Sequence, residues 1–109
     1  MELVEDATLL RIFLGESDQA EGMPAYKAIV HVLRKEGIWG ATVTRGIYGY
    51  GKRSLLHATS PMRLSLDLPV VVEAVDSGKK LQAVLPKIAP MVKGGLVLLV
   101  PVKAYVRME

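Results

Sequence analysis

Two segments with the apolar spacing of amphipathic helices, each placed between segments that favour strands, limit the folds open to this chain of 109 residues. The first helix is predicted over residues 24–36, because Pro24 suits a first turn and Gly37 suits a C-terminal cap. Apolar residues recur within it at helical spacing. Those expected to face a sheet are Tyr26, Ile29, Val30 and Leu33.

The second helix is predicted to start at a cap formed by Asp76 or Ser77. Two prolines, Pro86 and Pro90, lie inside the segment, and each removes a backbone hydrogen-bond donor. We therefore expect a kink or a break near Pro86. The inward face of this helix would consist of Leu81, Val84, Leu85, Ile88 and Val92.

Four strands are predicted around these helices, at residues 8–14, 38–48, 62–76 and 96–107. Pro69 interrupts the third strand. Because proline cannot donate to a ladder, we expect that strand to lie at a sheet edge or to be bulged there, with its well-paired part over residues 70–75. A tight turn at Gly94 and Gly95 leads into the last strand.

The resulting order, βαββαβ, predicts an α+β, ferredoxin-like fold in which two helices cover one face of an antiparallel sheet. A chain of this length forms one domain, spanning residues 1–109. Leu9 and Phe13 then point away from the helices and leave a second apolar sheet face. Such a face usually marks an interface, so we expect a homo-oligomer with its sheet faces turned inward. The alternative is a third layer formed by the long loop.

The composition excludes several classes of protein. The chain has no cysteine, which excludes disulfides, thiolate catalysis and thiolate zinc sites and fits the cytoplasm. The net charge of +3 is too small for a dedicated nucleic-acid binder, so no nucleic acid is expected. The N-terminal residues do not match a signal peptide, and the longest apolar run, residues 96–102, is too short to insert into a membrane.

A glycine-rich, basic segment follows the second predicted strand. Residues 45–63 contain no Asp or Glu, and Lys52 and Arg53 add positive charge. Its glycines, which would let backbone N–H groups approach an anion, are Gly46, Gly49 and Gly51. The segment matches neither the Walker pattern nor GxGxxG. The alternative to an anion-binding loop is a flexible, glycine-bearing hairpin loop with solvated lysines. Tyr48 and Tyr50 could stack on a base or serve only in packing.

No catalytic or metal-binding constellation is recognised in the chain. Ser54, Ser60 and His57 are close in sequence, but no elbow motif or nearby acid accompanies them. His31 is expected on a basic, solvated helix face, and the histidines have no metal-ligand spacing. We expect neither a catalytic residue nor a metal site formed by the protein alone.

Two motifs resemble a known family. Residues 37–53, GIWGATVTRGIYGYGKR, and residues 68–76, LPVVVEAVD, resemble the nitrogen-regulatory PII proteins. They resemble still more closely the PII-like family catalogued as domain of unknown function 190, and the resemblance covers nearly the whole chain. It implies a ferredoxin-like subunit, a compact homotrimer, adenine-nucleotide binding between subunits, and a long T-loop that contacts partner proteins.

The resemblance also assigns candidate ligand-binding residues. The base of the T-loop corresponds to Gly46, Tyr48, Gly49, Tyr50, Gly51, Lys52 and Arg53. The second phosphate-contacting loop corresponds to Lys93, Gly94 and Gly95, and the cationic positions on the last strand are Lys103 and Arg107. The chain departs from the PII pattern because Gly95 leads directly into Leu96 without a following lysine, which leaves triphosphate binding open. No tyrosine lies between Gly51 and Pro61, so the modification site of enteric PII proteins is missing.

We therefore predict a non-enzymatic, cytoplasmic, PII-like signalling protein. It would bind a small anionic effector, such as ATP, ADP or AMP with Mg²⁺ left open, at the clefts of a homotrimer. Residues 46–65 would contact an unknown protein partner, for which a membrane protein is one option. The alternatives are a small enzyme acting on a phosphorylated metabolite in the same cleft, and a structural oligomer without a ligand.

Overall fold

The chain folds as a four-stranded antiparallel sheet with two helices in a computed structural model, which describes residues 1–51 and 67–107. The strands are β1 (Glu2–Gly15), β2 (Gln19–Ala20), β3 (Met23–Pro24), β4 (Ala41–Arg45), β5 (Pro69–Ser77) and β6 (Leu96–Val106). The helices are α1 (Ala25–Lys35) and α2 (Gly78–Ile88), followed by a 3-10 turn at Ala89–Met91. The sheet order is β4-β5-β1-β6, and β2 and β3 form a separate small hairpin. Apart from that hairpin, the predicted ferredoxin-like order is confirmed.

The core lies between one face of the sheet and both helices. β1 pairs with β5 so that Leu10 is opposite Ala74 and Ile12 is opposite Val72, and all four side chains are buried. The helices cover them with Ile29, Leu33, Leu81, Val84 and Ile88, which are also buried. Tyr26, Val30, Leu85 and Val92 pack at the margin of this core. The predicted inward faces of both helices are therefore confirmed.

Helix α1 ends where its sequence predicts. Pro24 occupies the N-cap position, and Gly37 follows the last turn with a φ of +76°. The Gly37 N–H donates to the carbonyl of Arg34, and the Ile38 N–H donates to the carbonyl of Leu33, each at 3.1 Å. These two bonds form a Schellman motif, which favours glycine because of its left-handed backbone.

Helix α2 starts at Ser77, whose hydroxyl accepts a 3.2 Å hydrogen bond from the backbone N–H of Lys80. Of the two predicted caps, Ser77 is the one used, whereas Asp76 is buried. Pro86 lies in the last turn, where the lost donor affects only one intrahelical bond, and the helix ends at Ile88. The predicted break therefore lies within one turn of Pro86. Within residues 1–51 and 67–107, no helix is long and apolar enough to cross a membrane.

Strand β5 lies inside the sheet, so the prediction of an edge or bulged strand at Pro69 is wrong. Pro69 is the first residue of β5 and pairs in register with Gly15. A first position tolerates proline because the missing N–H falls where the ladder begins. The carbonyl of Pro69 accepts a 2.7 Å hydrogen bond from the Gly46 N–H, so the proline still contributes an acceptor.

Two other strand boundaries differ from their predictions. β4 spans only Ala41–Arg45, because Ile38 closes the end of α1 and Gly46 ends the pairing with β5. β1 starts well before residue 8, because residues 2–4 pair with residues 104–106 at the end of β6. The first part of the strand predicted over residues 62–76 lies outside the described residues.

No helix in the described part of the chain covers the second face of the sheet, which we call the open face. Its side chains form three rows across β5, β1 and β6, which are Val71–Phe13–Leu96, Glu73–Arg11–Leu98 and Val75–Leu9–Val100. Phe13 is 36% exposed and Leu96 is 54% exposed. The second apolar face that the sequence predicts is therefore present, with a charged pair in its middle row.

Candidate functional site

A cavity of about 420 Å³ opens at the end of the sheet where β1 ends and β5 and β6 begin. Antiparallel pairing creates this junction, because Gly15 is opposite Pro69 and Phe13 is opposite Leu96. The residues that line it are Phe13, Leu14, Gly15, Asp18, Tyr50, Gly51, Asp67, Pro69, Gly94, Gly95 and Leu96. Segments that are far apart in the sequence therefore form one concave surface.

Two of the predicted ligand-binding stretches meet in this cavity. Tyr50 and Gly51 come from the segment after β4, and Gly94 and Gly95 come from the turn before β6. The Tyr50 side chain is 69% exposed, so its ring surface is accessible to a ligand. The structure brings these four residues together, and their contact with a ligand stays a prediction.

The turn before β6 requires both of its glycines. Gly94 has a φ of +74°, in the left-handed region that glycine adopts without strain. A Cβ on Gly95 would clash with the carbonyl oxygen of Phe13 and would lie 2.9 Å from Cγ1 of Val92. The absence of a side chain at Gly95 therefore lets the turn pack against the end of β1 and form one wall of the cavity.

Gly46 and Gly49 pack against Pro69 and do not line the cavity. A Cβ on Gly46 would lie 2.9 Å from Cγ of Pro69, and a Cβ on Gly49 would lie 3.3 Å from the same atom. The chain that leaves β4 can therefore cross closely over the start of β5. Close packing against Pro69 explains why glycine occupies both positions, without the need for a bound anion. Tyr48, between them, is 93% exposed and also lies outside the lining.

Two carboxylates that the sequence analysis missed, Asp18 and Asp67, line the cavity. Oδ2 of Asp18 accepts a 3.0 Å hydrogen bond from the Gly15 N–H, and Oδ1 of Asp67 accepts a 3.0 Å bond from the Ser17 N–H. A Cβ on Gly15 would lie 2.9 Å from Oδ1 of Asp67 and 3.3 Å from Oδ1 of Asp18. Asp67 begins the run DLPVVVE, a motif from which its place in the site could have been predicted. Asp18 lies in a polar turn that contains no such motif.

No Lys or Arg side chain belongs to the described lining of the cavity. Lys52 and Arg53 directly follow the lining residue Gly51 but fall outside the described residues. Lys93 precedes the lining residue Gly94 and is exposed. The cations nearest to the described lining in the sequence are Lys52 and Arg53, after Gly51, and Lys93, before Gly94.

The two predicted cations on β6 lie far from this cavity within one chain. β6 begins at Leu96 beside the cavity and runs away from it along β1. At a rise of about 3.3 Å per residue, Lys103 lies about 23 Å from Leu96, and Arg107 lies farther still. A single chain therefore does not bring Lys103 and Arg107 to Tyr50 and Gly51.

An ion pair joins the root of the basic segment to the rim of the cavity. Nε of Arg45 contacts Oε2 of Glu16, and the Glu16 N–H donates a 2.9 Å hydrogen bond to the carbonyl of Leu68. The chain therefore leaves β4 along a path held by the turn after β1 and by the start of β5. Because Arg45 is paired with Glu16, the positive charge at the root of this segment is already compensated.

The lining of the cavity combines aromatic rings with carboxylates. Among residues 1–51 and 67–107, no three His, Asp or Glu side chains are grouped as metal ligands. The rings of Phe13 and Tyr50 provide apolar surface, and the carboxylates of Asp18 and Asp67 can accept hydrogen bonds from amino or hydroxyl groups.

Comparison with known proteins agrees with these observations. The sequence model of the DUF190 family, described as "Uncharacterized ACR", matches residues 7–104. UPF0166 protein MJ1524 of Methanocaldococcus jannaschii is 42% identical over 100 residues, which span 91% of this chain and 92% of that protein. A UPF0166 protein of Aquifex aeolicus is 41% identical over 80 residues, which span 73% of this chain and 76% of that protein.

A solved structure shows the same architecture. CPII from Thiomonas intermedia K12, a nitrogen regulatory PII-like protein bound to ADP, AMP and bicarbonate, superposes with a TM-score of 0.65. The superposition covers 98% of this chain and 100% of CPII at 14% sequence identity, so the similarity is one of fold. The resemblance found in the sequence is thereby confirmed: the chain belongs to the DUF190 (UPF0166) family and has a PII-like, ferredoxin-like fold.

Proposed function

We propose that this chain is a PII-like regulatory protein that binds a small anionic effector, with an adenine nucleotide as the first candidate, and does not catalyse a reaction. The observation that supports this function is the cavity in which Tyr50 and Gly51 face Gly94 and Gly95. It lies at the root of the segment that would report binding to a partner. The cavity therefore contains both the residues that would contact a ligand and the start of the loop that would contact a partner.

The size and chemistry of the cavity suit the ring portion of a nucleotide. A volume of about 420 Å³ falls in the range of small-molecule sites. Phe13 and Tyr50 could pack against a planar base, and CPII, which shares the fold, is described as bound to ADP and AMP. Mg²⁺, if it takes part, would be held mainly by the phosphates of the ligand and by water.

The phosphate-binding cations in this proposal come from two sources. Lys52 and Arg53 follow Gly51 in the same chain. Lys103 and Arg107 are too distant within one chain, and they would contribute to the site of a neighbouring copy. The proposed site therefore lies between subunits of a homotrimer, with Lys93, Gly94 and Gly95 forming the opposite wall.

Binding would act on partners through residues 46–65. A ligand shifts the population of loop conformations only by the difference in its affinity for them. Tyr50 and Gly51 supply such a difference, because a ligand in the cavity contacts them only when the root of the loop lies against the turn before β6. The loop would then present a changed surface to its protein partner.

A thermal-shift panel with adenosine, AMP, ADP, ATP and inorganic phosphate tests this function. A ligand at about 100 times its Kd stabilises the folded state by about 2.7 kcal/mol, which should raise Tm by roughly 10 °C. Lys52→Ala, Arg53→Ala and Tyr50→Ala should each reduce the shift. Lys27→Ala, an exposed change on α1, serves as the control and should keep the shift.

Three results would contradict the proposal. A nucleotide shift that survived Lys52→Ala, Arg53→Ala and Tyr50→Ala would remove the loop root from the site. Turnover of a bound ligand, followed by chromatography of the reaction mixture, would support an enzyme in the same cavity. A panel without any shift, together with native mass spectra free of bound ligand, would support a structural oligomer.

A further inference from the structure

Positive charge is concentrated in the two helices and the residues that flank them. Residues 24–36 and 77–91 contain six of the fourteen Lys and Arg residues of the chain but one of its eleven Asp and Glu residues, Glu36. This part therefore carries a net charge of +5, whereas the remaining residues together carry a net charge of −2. The basic side of the protein is the helical side, opposite to the open face.

Two lysines of α2 are held at the C-terminal end of α1. Nζ of Lys80 donates a 2.7 Å hydrogen bond to the carbonyl of Gly37, and Nζ of Lys87 donates a 2.7 Å bond to Oε1 of Glu36. The two acceptors are consecutive residues, so both lysines converge on one place. Cations of α2 therefore lie beside the last turn of α1.

Three further cations border this contact, and all three are exposed. Arg34 and Lys35 belong to the last turn of α1, and Lys79 belongs to the first turn of α2. Arg34 and Lys79 form no ion pair with any of residues 1–51 and 67–107. Their charges are therefore available to a group from outside the chain.

Trp39 adds an aromatic ring to the same end of the helical layer. It is the only tryptophan of the chain, and it is 41% exposed. The Trp39 N–H donates a 3.1 Å hydrogen bond to Oδ2 of Asp76, and this oxygen lies 3.3 Å from Nζ of Lys80. Exposed tryptophan and arginine together are typical of the residues that dominate binding energy in protein interfaces.

We propose that this end of the helical layer is a docking surface for an acidic segment of a partner protein. Carboxylates of the segment pair with the cations, and an apolar side chain of the segment packs on the indole of Trp39. The length of β4, about 16 Å, separates Trp39 from Gly46, so this surface is distinct from the loop of the proposed function. We call it the basic surface, and it consists of Arg34, Lys35, Trp39, Lys79, Lys80 and Lys87.

A short acidic segment suits the basic surface better than a membrane or a nucleic acid does. At physiological salt, charges interact over about 8 Å, so a short segment bound here interacts mainly with the helical side. A lipid bilayer or a duplex extends beyond it and also meets the rest of the chain, whose net charge is −2. The apolar faces of α1 and α2 pack against the sheet, so neither helix has an apolar face to insert into lipid.

The test uses a short peptide of glutamate residues with one central leucine. Because Trp39 is the only tryptophan, its emission should move to shorter wavelengths when the peptide covers it. Arg34→Glu with Lys79→Glu should raise the Kd about tenfold or more, and added salt should weaken binding to the wild type. Trp39→Ala, measured by calorimetry, should also raise the Kd about tenfold. A peptide with serine in place of leucine should bind about fivefold more weakly.

Lys27→Glu is the matched control, because Lys27 is exposed on α1 about 12 Å from Lys35 and should tolerate the same charge reversal. Arg34→Gln with Lys79→Gln should give a smaller loss and keeps the test decisive where the reversals disturb folding. Absence of peptide binding to the wild type would overturn the inference. Equal losses in Lys27→Glu and in Arg34→Glu with Lys79→Glu would overturn the location. Tighter binding to phosphatidylglycerol vesicles or to duplex DNA than to the peptide would overturn the acidic segment as the partner.

Discussion

The carboxylate of Asp76, at the end of β5, accepts a 3.1 Å hydrogen bond from the backbone N–H of Trp39, in the loop between α1 and β4. The second oxygen of Asp76 accepts a 2.6 Å bond from the Ser77 N–H, and Nζ of Lys80 lies 3.3 Å from the first oxygen. Lys80 in turn donates a 2.7 Å hydrogen bond to the carbonyl of Gly37. One buried acid therefore connects the end of α1, β5 and the start of α2.

Asp76→Ala should lower the free energy of unfolding by about 3 kcal/mol, because it leaves the partly buried backbone N–H groups of Trp39 and Ser77 without their acceptor and removes one of the two partners of Lys80. Asp76→Asn keeps an acceptor oxygen and should cost about 1 kcal/mol. Urea unfolding at one fixed protein concentration measures both. Asp6→Ala, at an exposed position on β1, is the control and should change stability by less than about 0.5 kcal/mol. Equal losses at Asp76 and Asp6 would contradict this account.

The approach of Gly95 to β1 gives a prediction for glycine substitution. Gly95→Ala forces Phe13 and Val92 apart and should destabilise the fold by about 2 kcal/mol. Gly40→Ala is the matched control, since a Cβ there meets no atom within 4 Å. Thermal unfolding compares the two variants. Unfolding of Gly95→Ala at the wild-type temperature would show that the turn before β6 can move away from β1.

Much of this fold is encoded by local patterns. Burial alternates along β5 because successive side chains of a strand point to opposite faces of the sheet, and the core positions of α1 and α2 recur at helical spacing. The position of β5 inside the sheet could not be predicted from a local pattern. The local signal of Pro69 favoured an edge, whereas pairing with both β1 and β4 depends on contacts between distant segments. The early start of β1 could not be predicted either, because it depends on pairing with the distant end of β6.

Three glycines of the candidate site could be predicted from the sequence, whereas its two carboxylates could not. Gly51, Gly94 and Gly95 stand in short motifs whose composition already suggests close approach of backbones. Asp18 and Asp67 bond to backbone groups across a turn, and only the tertiary structure brings both beside Gly15. The motif pointed to an anion site, whereas the described wall combines apolar side chains with two carboxylates.

The two acids should influence which ligand charge the cavity accepts. If a nucleotide binds there, Asp18→Asn and Asp67→Asn each remove a negative charge and keep an acceptor oxygen for the bonded backbone N–H. Each variant should bind ATP about fivefold more tightly, which corresponds to about 1 kcal/mol of lost repulsion, and should bind adenosine with little change. Isothermal titration calorimetry measures both ligands.

Comparing the affinities for ATP and adenosine shows whether a substitution changes the charge of the cavity or its shape. Asp6→Asn changes the net charge equally but lies on β1 away from the cavity lining, so it should leave both affinities unchanged. Equal gains for ATP and adenosine would mean that the substitutions reshape the cavity. No gain for ATP in either variant would place the phosphates far from Asp18 and Asp67.

The ion pair between Glu36 and Lys87 predicts how stability depends on pH. Nζ of Lys87 donates a 2.7 Å hydrogen bond to Oε1 of Glu36, and this bond holds the pKa of Glu36 below its ordinary value. In the unfolded chain the pKa of Glu36 returns to its ordinary value. Because the folded value is the lower one, the stabilisation is fully present above the unfolded pKa and is lost as pH falls through the folded pKa.

Lys87→Gln removes the positive donor and should return the pKa of Glu36 toward its ordinary value, which carboxyl NMR titration measures directly. The variant should be less stable than the wild type at neutral pH, and the difference should shrink as Glu36 becomes protonated in acid. Lys27→Gln, an exposed change on α1, controls for the loss of one positive charge. A stability difference that stays constant from neutral to acidic pH would show that Lys87 stabilises the fold through packing of its aliphatic chain rather than through Glu36.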